Sequence, residues 1–158
     1  MLFRVDWLAP ASTALGALLG VSSTLAVERL RWKRGHVDKV QESKRNLYVE
    51  YLAALSRTRD ELRIAARTSA MPPHRRAERA VEAFKDGRAY ELRYQVSVVA
   101  PCEIIAVSDY AFRVLRELRD IVESGALHTD ERYIRQRDIW EAAFADLRAR
   151  IRNDLRSD

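Results

Sequence analysis

The chain has a single cysteine, Cys102, among its 158 residues, so no intramolecular disulfide framework exists and nothing in the sequence requires an oxidising compartment. Glycine occurs five times and proline four. Such scarcity leaves too few turn formers for a β-sandwich or barrel and favours long helices. The chain has three histidines, His36, His74 and His128. None has a carboxylate or second histidine three or four residues away on a shared apolar face, which is the spacing a bundle metal site needs. No GxxxxGK[ST], GxGxxG or GxSxG pattern occurs, which removes the usual phosphate cradle and nucleophile elbow. No catalytic, cofactor or metal constellation is expected.

Charge is plentiful and unevenly placed. The formal net charge is +5, a balance compatible with nucleic acid or an anionic membrane surface. Between Glu28 and Arg45 stand seven cations (Arg29, Arg31, Lys33, Arg34, Lys39, Lys44 and Arg45) against three anions. This excess directly follows the one long apolar run, so the membrane reading is favoured.

That run, Trp7 to Val27, holds 21 consecutive uncharged residues. As a helix it would be about 31 Å long, matching a hydrocarbon core of about 30 Å. Ser12, Thr13, Ser22, Ser23 and Thr24 dilute its hydrophobicity, so a cleaved signal peptide competes with an anchor. The cationic cluster on the far flank favours retention and sets an N-out, C-in orientation at a cell membrane. Arg29, Arg31, Lys33 and Arg34 are then the expected contacts to headgroups of the anionic inner leaflet. Trp7 and Trp32 fall near the two interfaces, and Pro10 fits a first helical turn. Ser12, Gly16, Gly20 and Thr24 recur every fourth residue and contain a GxxxG motif. This spacing suggests a homodimer through the transmembrane helix, although small residues are also common in spans that do not pair.

The remainder reads as helices. Residues 31–46 are polar apart from Trp32, Val37 and Val40, a charged stalk that continues the first helix. Leu47, Tyr48, Tyr51, Leu52, Leu55, Leu62 and Ala66 then follow at three- and four-residue steps, a buried stripe. Pro72-Pro73 begins a second helix with Ala77, Val81, Phe84, Ala89, Leu92, Val96 and Val99 on one face up to Pro101. Val96-Ser97-Val98-Val99 resembles a strand but has no partner strand, so helix is expected there. A third helix runs from Pro101 to Glu123 on Ile104, Ile105, Val107, Ala111, Val114, Leu115, Leu118, Ile121 and Val122, stopped by Gly125. Thr129 or Asp130 caps a fourth, carried by Tyr133, Trp140, Phe144, Leu147, Ile151 and Leu155. The expected fold is all-α. An extracytoplasmic tail (1–6), a transmembrane helix (7–27) and a basic stalk (28–46) lead into an antiparallel four-helix bundle (47–158).

The order of these features is similar to that of uncharacterised small membrane-anchored helical proteins of actinobacteria. The basic junction ERLRWKR, the stretches NLYVEYLAAL and AYELRYQVSVVAP, and a last helix with Trp140 and Phe144 carry the resemblance. It implies placement at a membrane and brings no activity or site residues.

Two side chains have competing readings. Cys102 at a helix start has a dipole that favours thiolate, but a small buried residue is the preferred reading. Glu103 beside Ile104 and Ile105 is better explained by helix-dipole geometry than by a buried carboxylate. Three functions are compatible with the sequence. The favoured one is a non-enzymatic, membrane-tethered scaffold that presents its bundle to a protein partner. The others are a nucleic-acid binder using Arg148, Arg150, Arg152 and Arg156, with YELRY (90–94) as a weak stacking run, and an enzyme with a bundle-core site.

Overall fold

The computed structural model of the chain describes residues 39–157. The expected tail, the run expected to be transmembrane, with Ser12, Gly16, Gly20 and Thr24, and the expected headgroup contacts Arg29, Arg31, Lys33 and Arg34 lie outside the described residues. Among the described residues there is no strand, and no helix is long and apolar enough to cross a membrane. Helices are α1 (residues 39–67), α2 (Pro73–Asp86), α3 (Ala89–Val99), α4 (Cys102–Glu123) and α5 (Glu131–Ser157). The chain divides between Glu42 and Ser43, and the packing described below belongs to the C-terminal unit.

Side-chain pairings fix the directions of the helices. Arg59 reaches Glu141 at 2.7 Å and Tyr48 donates to Asp154 at 2.9 Å, so α1 and α5 run antiparallel. Arg79 meets Glu61 at 2.8 Å and Arg93 meets Asp109 at 2.8 Å. The arm α2–α3 therefore descends between the ascending α1 and α4. Gln136 donates to the Val114 carbonyl at 3.1 Å and to Glu117 at 2.9 Å, which ties α5 to α4. Because Tyr51 meets Ser108 and the His128 N–H donates to the Ala66 carbonyl, α4 runs with α1 and antiparallel to α5. The result is an antiparallel bundle of four arms, with short loops as the matched lengths require. Its core is built from the expected stripes: Tyr48, Tyr51, Leu55 and Leu62 from α1, Leu115, Leu118 and Val122 from α4, and Tyr133, Trp140, Leu147 and Ile151 from α5.

The second arm departs from the single helix expected between Pro73 and Pro101. It is broken at Gly87 and Arg88, where Arg88 takes the left-handed region at φ 54° and opens α3. Close packing requires the glycine: a Cβ there would lie 2.3 Å from Thr58 Oγ1 and 2.7 Å from the Ala83 carbonyl. The exposed Arg88 is held by two hydrogen bonds to Glu91, at 3.1 and 3.0 Å.

Helix ends follow local chemistry. Gly125, at φ 98°, closes α4 in a Schellman motif, its N–H donating to the Val122 carbonyl and that of Ala126 to the Ile121 carbonyl. Asp130 caps α5 by accepting the Arg132 backbone N–H at 2.9 Å. Its carboxyl is held below the usual range by the Arg132 side chain first and by that N–H second. Arg76 is buried, and its guanidinium donates to the carbonyls of Met71, at 2.7 Å, and Gly125, at 3.3 Å. It thus ties the loops after α1 and α4 together, with its charge near the negative end of the α4 dipole.

The packed unit begins at Ser43, slightly before the expected boundary after Asn46. Lys44, assigned to the stalk by its polar neighbours, forms a largely buried 2.8 Å ion pair with Asp154.

Candidate functional site

Two surfaces of the bundle differ from ordinary solvated helix. The first is an open groove of about 690 Å³ between α1 and α2. Five carboxylates (Asp60, Glu61, Glu78, Glu82 and Asp86) and three guanidiniums (Arg57, Arg75 and Arg79) line it. Much of that charge is matched internally, through Glu61 with Arg79 and Glu78 with Arg75 at 3.2 Å. The Thr58 hydroxyl is directed to the Ala83 carbonyl at 3.3 Å. The groove can complement a charged ligand, but no nucleophile stands beside a base in it. Among the described residues no group of three or more His, Cys, Asp or Glu is placed to hold a metal ion.

The second surface is the end of the bundle at which α1 enters. Lys44 Nζ and Tyr48 Oη both bind Asp154 Oδ2, joining the start of α1 to the last turns of α5. The phenol of Tyr51 and the hydroxyl of Ser108 lie 2.8 Å apart in the core, which sets the start of α4 at this same end. The turn from α3 to α4 is therefore here too. It is apolar and exposed: Val98 is 83% exposed, Tyr94 64% and Val99 46%, and Cys102 is also exposed.

That exposure corrects two expectations. Cys102 is not a buried small residue, because the inward face of α4 is set by Ile104, Ser108, Ala111 and Leu115, and position 102 is about 200° around the helix from Ile104. Val99 is not on the inward face of its helix, since the break at Gly87 gives α3 its own phase, with Ala89, Leu92 and Val96 inward. Glu103 is exposed in the first turn of α4, the dipole-favoured placement. His74 and His128 are exposed on separate elements.

The arginines proposed for nucleic acid are exposed along α5, but Arg150 is paired with Asp146 at 3.1 Å and Arg148 lies over the Phe144 ring. In the YELRY run, Tyr90 packs edge-on against Phe112, with ring centroids 4.7 Å apart. Arg93 is engaged by Asp109 and Phe112 and also lies over the Tyr94 ring, which is the more exposed of the two rings of the run.

Burial pushes the Tyr51 phenol up to about 12, against smaller lowering effects from the Ser108 hydrogen bond and the Arg93 charge. The folded state thus holds this proton more tightly than an unfolded chain, whose phenol titrates near 10. The associated stability is complete below about pH 10 and is lost as pH rises toward 12, amounting to roughly 3 kcal/mol in all. Tyr51→Phe is expected to flatten that part of the alkaline decline in urea-unfolding free energy. An unchanged decline would show that Tyr51 does not titrate in this way.

No family model, curated protein or solved structure matches the chain. The functional reading therefore rests on the residues and surfaces described above.

Proposed function

We propose that this chain is a membrane-tethered, non-enzymatic interaction module. The run Trp7 to Val27 crosses the membrane once, N-out and C-in, and pairs with a second copy through Ser12, Gly16, Gly20 and Thr24. Arg29, Arg31, Lys33 and Arg34 contact anionic headgroups, and the bundle stands in the cytoplasm, where it presents a face to a protein partner. The observation that carries this reading is the 21-residue uncharged run followed at once by a cationic surplus. A single charged residue at the centre of a span opposes insertion by about 3 kcal/mol, whereas lysine and arginine on one flank favour retention on that side. The bundle is compatible with tethering, because the chain enters it at one end, at Ser43, with the entry secured by Lys44 and Asp154.

Leu18→Arg combined with Leu19→Arg is expected to shift the full chain from a carbonate-resistant membrane fraction to the supernatant. Two central arginines oppose insertion by roughly 6 kcal/mol. Orientation is read on the exposed, lone Cys102, which a membrane-impermeant maleimide should label only after permeabilisation. A wild-type chain found in the supernatant would refute the tether. Labelling of intact cells would refute the orientation.

A further inference from the structure

We propose that the turn joining α3 to α4 is a lipid-contacting surface that seats the bundle end-on in the headgroup layer of an anionic bilayer. This deepens the tethered reading and rests on it. The observation behind it is a run of exposed apolar side chains at one end of the bundle. From Val96 to Val107 the chain carries one charged residue, Glu103, and within this stretch Val98 and Val99 face solvent at 83% and 46% exposure. Cys102 is exposed beside them, and Tyr94, one turn before Val98, adds an amphipathic ring. A phenol with an apolar body and a polar tip suits the boundary between headgroups and acyl chains.

Position decides what covers these residues. The pairs Tyr51–Ser108 and Arg93–Asp109 bring the α3–α4 turn to the end of the bundle where Ser43 and Lys44 enter. On the tethered reading, the 42 preceding residues lead to the membrane from that same end. The last turns of α5 also arrive there, as the Lys44–Asp154 contact shows. These last turns carry the exposed cations Arg152 and Arg156, and the first turns of α1 carry the exposed Arg45. Apolar side chains flanked by cations complement an anionic lipid surface.

The other end of the bundle is built differently. Its loops, 68–72 and 124–130, are organised around the buried Arg76 and the Asp130 cap, and Ser69, His128 and Thr129 face solvent there. A second copy is a poorer occupant of the apolar turn. Three large exposed side chains cannot supply the roughly 800 Å² per partner that a stable protein interface buries.

The arrangement also differs measurably from a bundle held away on its stalk. Fifteen residues lie between Val27 and Ser43, a rise of about 24 Å if helical throughout, and a straight connection of that length would keep the turn clear of the headgroups.

The lone cysteine makes the test direct. The full chain, labelled at Cys102 with an NBD maleimide, is reconstituted into vesicles of phosphatidylcholine and phosphatidylglycerol, and quenching by headgroup nitroxide lipids is read. A reference label is placed at the opposite end by Ser69→Cys in a Cys102→Ser background, about 30 Å away along α4. Quenching at 102 is expected to exceed that at 69 several-fold. Val98→Asp with Val99→Asp is expected to bring it down to the level at 69 with the helical circular dichroism unchanged, since both valines are exposed. Equal quenching at the two ends in chains that float with the vesicles would overturn docking while leaving the tether standing. Efficient Cys102–Cys102 disulfide crosslinking of the unlabelled chain under an added oxidant, with no quenching at 102 in the labelled chain, would assign the surface to a second copy and also overturn docking. Failure of the chain to float would remove the tether and docking together.

Discussion

Phe112→Ala is expected to lower the unfolding free energy of the bundle by about 3–5 kcal/mol, the range for emptying a buried aromatic site. Phe112 is almost fully buried, and three side chains from two other helices meet on its ring. Phe84 from α2 packs edge-on with centroids 5.9 Å apart, Tyr90 from α3 does so at 4.7 Å, and the Arg93 guanidinium lies 5.0 Å from the ring centre. Removing the ring leaves a cavity and dissolves two aromatic pairs, each worth roughly 1 kcal/mol beyond its buried area. It also loosens the broken second arm from α4. Urea unfolding followed by circular dichroism gives the value directly. Tyr90→Ala, at a site 38% exposed, should cost clearly less, and a loss at Phe112 no greater than at Tyr90 would show that the cluster does not anchor that arm.

Gly87→Val is expected to destabilise by roughly 3 kcal/mol, the upper part of the usual range for overpacking a tight site. The backbone here is ordinary, at φ −69°, so the effect comes from space alone. Any side chain's first carbon falls within 2.3 Å of Thr58 Oγ1 and 2.7 Å of the Ala83 carbonyl. Thr58→Ala removes the first contact and leaves the second. The double variant is therefore expected to recover part of the loss, and a double-mutant cycle in urea measures the coupling. Full additivity would mean that Thr58 does not set the fit at Gly87.

These two sites also show where sequence reasoning succeeds and where it stops. The apolar stripes of α1, α4 and α5 were legible because each is long and amphipathic, and one apolar face must be buried whatever the partner. The stop at Gly125 and a cap at Thr129 or Asp130 were legible because they follow from chemistry within a few residues, and the structure selects Asp130. Gly87 was not. Its cause is Thr58, which is distant in the chain, and an isolated glycine in a periodic pattern reads as a tolerated defect. Missing the break carried the phase of α2 into α3, which wrongly turned Val99 inward.

Phe112 went unmarked because it stands beside Ala111 at the edge of the α4 stripe, and only the arrival of α2 and α3 makes that edge interior. The burial of Arg76 has no signal in the sequence, because it comes from two loop carbonyls that only the fold brings to it. The apolar turn did leave a signal: Val96-Ser97-Val98-Val99 is too β-branched for a helix end that must face water. The groove between α1 and α2 left none, since its charges are those of any solvated helix face and only tertiary placement gathers them.

The contact of Lys44 with Asp154 and Tyr48 has a mechanical consequence. It joins the point where the chain enters the bundle to the antiparallel helix ending beside it. A pull along α1, with the far loops held, slides that helix lengthwise against α4 and α5 and loads many side-chain contacts at once. A sideways pull instead opens the bundle from this end and meets the ion pair first. The bundle should therefore withstand axial tension much better than peeling, a difference between pulling directions that single-molecule force measurements resolve.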